Sequence, residues 1–168
     1  MAQQFLRDFT LSIPDRGIVG ECPRVTPPVL QVVREDVHIA GRDAPIRLPV
    51  GIEPLVMSFE ITGVNADLLS LWGLQSGDGS TVVLRGAVAD EGGAQSAVEI
   101  EVTGEIDKVD SGTWERRRAG TTMVEMSDIT YYKRTDNGET RIEIDIPNGI
   151  RIVDGVDQLA EQRSLIGL

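Results

Sequence analysis

His38 is the chain's single histidine and Cys22 its single cysteine. Any histidine-built metal site or nucleophile–base pair would have to run through them. A zinc centre needs several nitrogen or sulfur ligands, and a hydrolytic triad needs an oriented histidine against its nucleophile. His38, on the mixed face of an expected strand beside Asp36, fits a solvated strand residue better. Cys22 precedes a proline in a turn-like stretch, with no clustered cations and no helix N-terminus to stabilise a thiolate. The acid pairs Asp107/Asp110 and Glu143/Asp145 could hold Ca²⁺ or form a glycosidase dyad. Acids alternating along strands are, however, what a solvated sheet face presents. The glycines of "QSGDGS" and "DEGGAQ" match no phosphate-cradling fingerprint and read as turns. Glu115, Arg116, Arg117 and Arg118 form the one dense cationic cluster, suited to a phosphate, to a salt-bridged interface or to a solvated loop. No catalytic constellation emerges, no metal site and no cofactor is expected, and structural or interaction work is left.

Composition narrows the class further. The chain has 168 residues, 40% hydrophobic and 26% charged, enough for one domain (1–168) with a real core. The net charge of −11 disfavours adhesion to nucleic acid or to an anionic membrane. It suits a wall that DNA must pass without sticking, or simply keeps the protein soluble. No apolar run approaches the roughly 20 residues that span a bilayer, so no membrane anchor is expected. The N-terminus is too short and interrupted for a signal peptide. With one cysteine, the expectation is a soluble, reduced, cytoplasmically made protein.

The elements that would position these residues are mostly strands. "FTLSIPDRG" predicts a first strand and a turn. "PPVLQVVREDVHIAG" predicts a long second strand. One face carries Leu30, Val32, Arg34, Asp36 and His38. The other carries Val29, Gln31, Val33, Glu35, Val37 and Ile39 and, being more apolar, is expected to face the core. "GRDAPIRLPVG", with two glycines and two prolines, reads as a loop of about ten residues, longer than the usual ~4–6. After it Leu55, Met57, Phe59 and Ile61 form an apolar face, opposite Pro54, Val56, Ser58, Glu60 and Thr62. "VNADLLSLWGL" predicts a short flanking helix, capped by Asn65, with Asp67 in its first turn. Its stripe is Leu68, Leu69, Leu71 and Trp72, and Gly73 ends it. Strands resume through "STVVLRGAVAD", the turn "EGG", and "QSAVEIEVTGEIDKVD", whose Val98, Ile100 and Val102 oppose Glu99, Glu101 and Thr103. "SGTWERRRAG" is a loop. A hairpin follows, turning at Asn137-Gly138, where both residues favour positive φ. "VDGVDQLAEQRSLIGL" predicts a helical segment from about Gly155, capped by Asp154, with Asp157 in the first turn, Val156, Leu159 and Ala160 on one face, Arg163 late and Gly167 at its end. The fold class is mainly β: two packed antiparallel sheets, a sandwich or barrel, with a flanking short helix and a C-terminal helical segment.

"AGRDAPIRLPVGIEPLVMSFEITG" followed by "LLSLWGL", "GEIDKVDSGTW" leading into "ITYYKRTDNGETRIEIDIPNGI", and the terminal "VDGVDQLAEQRSLIGL" occur in an order that resembles the major tail tube proteins of contractile-tailed bacteriophages and R-type pyocins. The resemblance runs from about Leu11 to Leu168 and is closest at the C-terminus. It implies a hexameric ring in which each subunit gives four long strands to a continuous inner β-barrel. Rings stack into a tube inside a contractile sheath. That tube conducts double-stranded DNA or, in a pyocin, pierces the envelope. The implied partners are other copies of the chain, the tail sheath protein, and the baseplate or initiator and terminator proteins. The implied location is the virion tail, assembled in the host cytoplasm. The loop of Gly41, Arg42, Asp43, Ala44, Pro45, Ile46, Arg47 and Leu48 corresponds to the family's inter-ring loop. Arg34, Asp36, Ser58 and Glu60 become the expected lumen residues. Leu159, Arg163, Leu165, Ile166 and Leu168 become an expected subunit contact, buried when the ring forms. Two other classes stay open. A tube of a type VI secretion or non-contractile tail system would differ in its particle. A monomeric ligand-binding β-barrel would show a closed pocket, and two Trp, two Tyr and three Phe are few for a sugar-stacking site.

Overall fold

The structure, a computed structural model, describes residues 4–14, 17–18, 21–63, 66–73 and 79–167. These form strands β1 (Gln4–Ile13), β2 (Gly17–Ile18), β3 (Arg24–Thr26), β4 (Val32–Val37), β5 (Ile46–Ile52) and β6 (Met57–Thr62), then helix α1 (Ala66–Leu69). Strands β7 (Ser80–Asp90), β8 (Gln95–Asp110), β9 (Thr121–Asp136), β10 (Glu139–Asp145), β11 (Ile150–Val153) and β12 (Val156–Asp157) follow, and helix α2 (Ala160–Ile166) closes the described chain. One sheet has ten strands, in the order β12-β11-β10-β9-β8-β7-β1-β2, with β6 added to β9 and β3 added to β6. The second sheet is the β4–β5 pair alone. Every named strand pair is antiparallel, as the hairpin turns require.

The ladder between β8 and β9 organises the rest. Both strands are 16 residues long. They pair regularly from Val98↔Asp136 to Thr103↔Tyr131, then resume at Glu105↔Ser127. Between those points Gly104 on β8 faces the three residues 128–130, and Asp128 takes a φ of 46°. A second bulge leaves Asp107 unpaired. Its carboxylate accepts the Ser127 hydroxyl, and its carbonyl accepts the Trp72 indole N–H at 2.7 Å. Bulges bend and twist a ladder. One half of β9 therefore pairs with β10, and the other half, from Met126 to Thr121, pairs with β6.

Alternation places the apolar faces of both halves in one core. Leu11, Leu84, Ile100, Val102, Tyr132 and Ile144 come from the first half, and Met57, Phe59, Ile61, Val124 and Met126 from the second. Fully covering a side chain such as Phe59 stabilises the fold by about 1.5–3 kcal/mol. Thr122, the buried polar residue among the described ones, donates its hydroxyl to the Gly63 carbonyl at 2.9 Å, so its burial leaves no orphan.

The Leu55-Met57-Phe59-Ile61 face, the "EGG" turn and the Asn137-Gly138 hairpin are all present, the last with φ of 52° and 82°. Four expectations are corrected. The residues 41–51 are not one loop. The turn ends by Pro45, and Ile46, Arg47 and Leu48 lie in β5. Pro49 is tolerated there because β5 has a free edge and pairs with β4 beside a bulge. The face of Val29, Gln31, Val33, Glu35, Val37 and Ile39 does not reach the core; Val33 alone is half-buried. The β4–β5 hairpin pairs only with itself, and among the described residues only its base, at Ile52, packs against the core. The internal helix is shorter than expected. α1 has four residues and runs out through i→i−3 bonds from Leu71 and Trp72. Leu68 is buried and Leu71 half-buried, whereas Leu69 and Trp72 are exposed. Asn65 lies outside the described residues. Finally, no helix starts at Gly155. Asp154 and Gly155, with φ of 46° and 79°, turn β11 into β12. An Asp-Gly pair satisfies a tight hairpin turn, and that signal wins over the helical spacing behind it. α2 begins at Ala160 without a side-chain cap and ends, as expected, on Gly167 in the left-handed region.

Candidate assembly surfaces

The residues that could have carried chemistry occupy structural positions. His38 is exposed at the tip of the β4–β5 hairpin. The Cys22 thiol donates to the Arg24 carbonyl at 3.3 Å, and burial pushes its pKa up, which keeps it a neutral thiol. Asp110 accepts the Gly112 N–H at 2.9 Å and shapes the start of the next loop, while Asp107 serves the bulge. Glu143 accepts the Tyr131 hydroxyl at 3.0 Å. Burial, that bond and the nearby Glu143, Glu101 and Asp145 charges raise the Tyr131 pKa, so its phenol stays a donor. Glu115 and Arg118 pair at 3.0 Å in an exposed loop. Among the described residues no group of three or more metal-ligating side chains converges.

What the chain presents instead is surface. Ser58 and Glu60 project from β6 on the face opposite the core, flanked by Arg24 and Thr26 of β3 and by Met123 and Glu125 of β9. Arg24 and Glu60 pair at 3.3 Å beside a shallow hollow of about 200 Å³. Arg34 and Asp36 lie on the other sheet, in β4, where Asp36 accepts from Arg47 at 2.9 Å. The four expected lumen residues thus fall as two pairs on separate sheets.

The C-terminal residues gather around one ion pair. Arg163 reaches back to the Asp157 carboxylate and donates to the Gly149 carbonyl at 2.7 Å. Asp157 also accepts the Leu159 N–H at 3.0 Å. The guanidinium, then this backbone bond, hold the Asp157 carboxyl below its ordinary value. No residue of α2 is buried, so this lock holds the helix in place. Leu159 is half-buried at a groove of about 460 Å³ between β5, the β10–β11 turn and α2. Leu165 and Ile166 are 81% and 65% exposed, and Leu168 lies outside the described residues. A depressed carboxylate contributes above its unfolded pKa, and its contribution fades as pH falls through the lower folded value. α2 will therefore stay docked at pH 5 and loosen only below about pH 4. Arg163→Ala will loosen it at neutral pH. Hydrogen exchange of residues 160–167 reads both, and equal protection in the variant would contradict the lock.

Residues 3–167 match the family model described as phage tail tube protein FII. The chain belongs to that family. It is 31% identical over 156 residues to the tail tube protein of Escherichia phage P2, covering 89% of this chain and 88% of that one. It is 30% identical over 152 residues to the major tail tube protein of Serratia phage KSP20, covering 89% and 87%. Its fold resembles a chain of the PVC sheath–tube complex, an extracellular contractile injection system in the extended state. The TM-score there is 0.52 at 9% identity, over 76% of this chain and 87% of that chain. A tail tube protein is a structural component of the virion tail. Sequence reading misses the groove under α2, which segments distant in the chain create, and the exposure of Trp114 in "SGTWERRRAG".

Proposed function

We propose that residues 1–168 act as one tail-tube domain that closes into hexameric rings, and that these rings stack into the inner tube of a contractile tail. The observation that carries this reading is the β4–β5 hairpin, two strands that pair only with each other and are exposed over most of their length. A lone two-stranded hairpin is marginal in water, and open edges invite pairing with another chain. A ring of copies removes the edges by joining them into a barrel. In this reading the turn before β5, with Gly41, Arg42, Asp43, Ala44 and Pro45, and the following Ile46, Arg47 and Leu48 reach the next ring. Arg34, Asp36, Ser58 and Glu60 line the lumen, and Leu159, Arg163, Leu165, Ile166 and Leu168 meet a neighbouring subunit. The sheath packs outside, baseplate and terminator proteins bound the ends, and double-stranded DNA passes through.

Negative-stain electron microscopy of the concentrated protein should show sixfold rings or hollow tubes. A monomer at every concentration and salt would refute the reading. The lumen assignment has its own test. Glu60→Lys replaces an acid beside Arg24 by a second cation, which a passing phosphate backbone would attract. Assembly should be intact and DNA ejection slower; an unchanged ejection rate from tubes of normal length would count against it.

A further inference from the structure

The β8–β9 ladder has chemically different ends. At one end lie the β7–β8 turn and the first residues of β1, because Ala89 pairs with Gln95 and Gln4 with Asp90. Here Asp90 and Glu91 sit beside Phe5 and Leu6, which are 53% and 60% exposed. The other acids of this end already have cations: Asp136 pairs with Arg134 at 3.0 Å, and Arg141 takes Glu139 at 3.2 Å and Asp154 at 3.4 Å. Asp90 accepts the Ala94 N–H at 2.8 Å through one oxygen, and Glu91 has no partner among the described residues. At the opposite end, past Asp110↔Met123, the loop of residues 111–120 carries Trp114, 73% exposed. Arg118 is held by Glu115, which leaves Arg116 and Arg117 without an acidic partner among the described residues.

We propose that this loop docks on a second copy of the chain, head to tail. Trp114 packs on Leu6, which shares its sheet face with Asp90, while Arg116 and Arg117 pair with Asp90 and Glu91. Each end offers an apolar anchor beside two charges without an ionic partner among the described residues, and these are opposite in sign; Arg7, next to Leu6, and Asp110, at the foot of the loop, are the charges of the other sign nearby. Aromatic and arginine side chains are those that dominate interfaces when desolvated together. Because the two patches sit on different ends of one subunit, the contact is heterologous and repeats in one direction. It gives an assembly a polarity as well as adhesion. A tryptophan among arginines could equally face nucleic acid, but the net charge of −11 makes another copy of this chain the better-matched surface.

The proposal rests on the tube reading in one respect, that copies associate. Its test compares wild type, R116E/R117E, W114A, E91R and R117E/E91R by electron microscopy and sedimentation across concentration. Thermal unfolding of each should match wild type, since these side chains are exposed. R116E/R117E and W114A should raise the concentration needed for assembly by roughly tenfold or more. E91R should weaken it too, and R117E/E91R should recover much of the loss. Assembly of R116E/R117E at the wild-type concentration would overturn the proposal and leave the tube reading standing. The same follows if that variant loses affinity only for a labelled DNA duplex, which would make the loop a nucleic-acid contact. A wild type that never assembles would remove the tube reading and this one together.

Discussion

A variant in which residues 36–47 are replaced by Asn-Gly will fold normally and form no tube. Residues 36–47 contribute no side chain to the core, whereas Ile52, which packs against it, is kept. The base of the hairpin, where Glu53 donates to the Gln31 carbonyl at 2.8 Å, is retained. Asn-Gly closes a two-residue hairpin turn between Glu35 and Leu48, which are already paired. The melting temperature should therefore stay within about 3 °C of wild type, corresponding to about 1 kcal/mol for a domain of this size. Assembly should be lost, because the deleted part is the surface with nothing over it in the single chain. Circular dichroism with heating and electron microscopy read the two halves. Tubes of normal length would show that the hairpin does not join copies. Loss of folding would show that it belongs to the core.

Gly104→Val will have the opposite profile, a large loss of stability from a change of three carbon atoms. A Cβ at Gly104 would lie 2.8 Å from the Ser127 carbonyl oxygen, 2.9 Å from Ile129 Cγ1 and 3.1 Å from Ile129 Cα. Two of these atoms are backbone and cannot swing away. The ladder crosses from one half of the sheet to the other at this point, so relief would require the bulge itself to shift. Overpacking at such a site costs about 3 kcal/mol, equivalent to about 9 °C in melting temperature. Gly120→Ala, where an added Cβ meets nothing within 4 Å, is the control and should be nearly neutral. If both variants melt alike, the close approach at Gly104 is not what bends the ladder.

The two variants separate the parts of the molecule that hold it together from those that join it to others. Bent strands over one core supply the first. The hairpin, the exposed end of α2 and the two ladder ends are the surfaces proposed for the second. A tube subunit needs this division, because its contacts must form only when copies meet.

Where pattern and environment agree locally, the sequence by itself determined the outcome. Strict alternation at Leu55-Met57-Phe59-Ile61 and Val98-Ile100-Val102 identified which faces would be covered. Asn137-Gly138 specified a turn because few other pairs accept two positive φ values. The order of segments along the chain resembles that of tail tube proteins, and the family match bears this out. Other features depended on what stands opposite. Val29, Val37 and Ile39 look like core residues by composition, yet a strand face is buried only if another layer covers it, and the described residues leave all three exposed. Asp154-Gly155 could cap a helix or close a hairpin. The waiting β11 edge decided for the hairpin, and the helix began only after β12 had paired. Gly104 reads as an ordinary strand glycine until the carbonyl of Ser127 is seen where its side chain would be. Trp114 and the arginines beside it, and Phe5, Leu6, Asp90 and Glu91, lie far apart in sequence. Only the register of β1, β7, β8 and β9 assigns them to opposite ends of one ladder. Periodicity records the preference of each residue for water or cover; which preferences are met is a property of the neighbours that the tertiary fold brings.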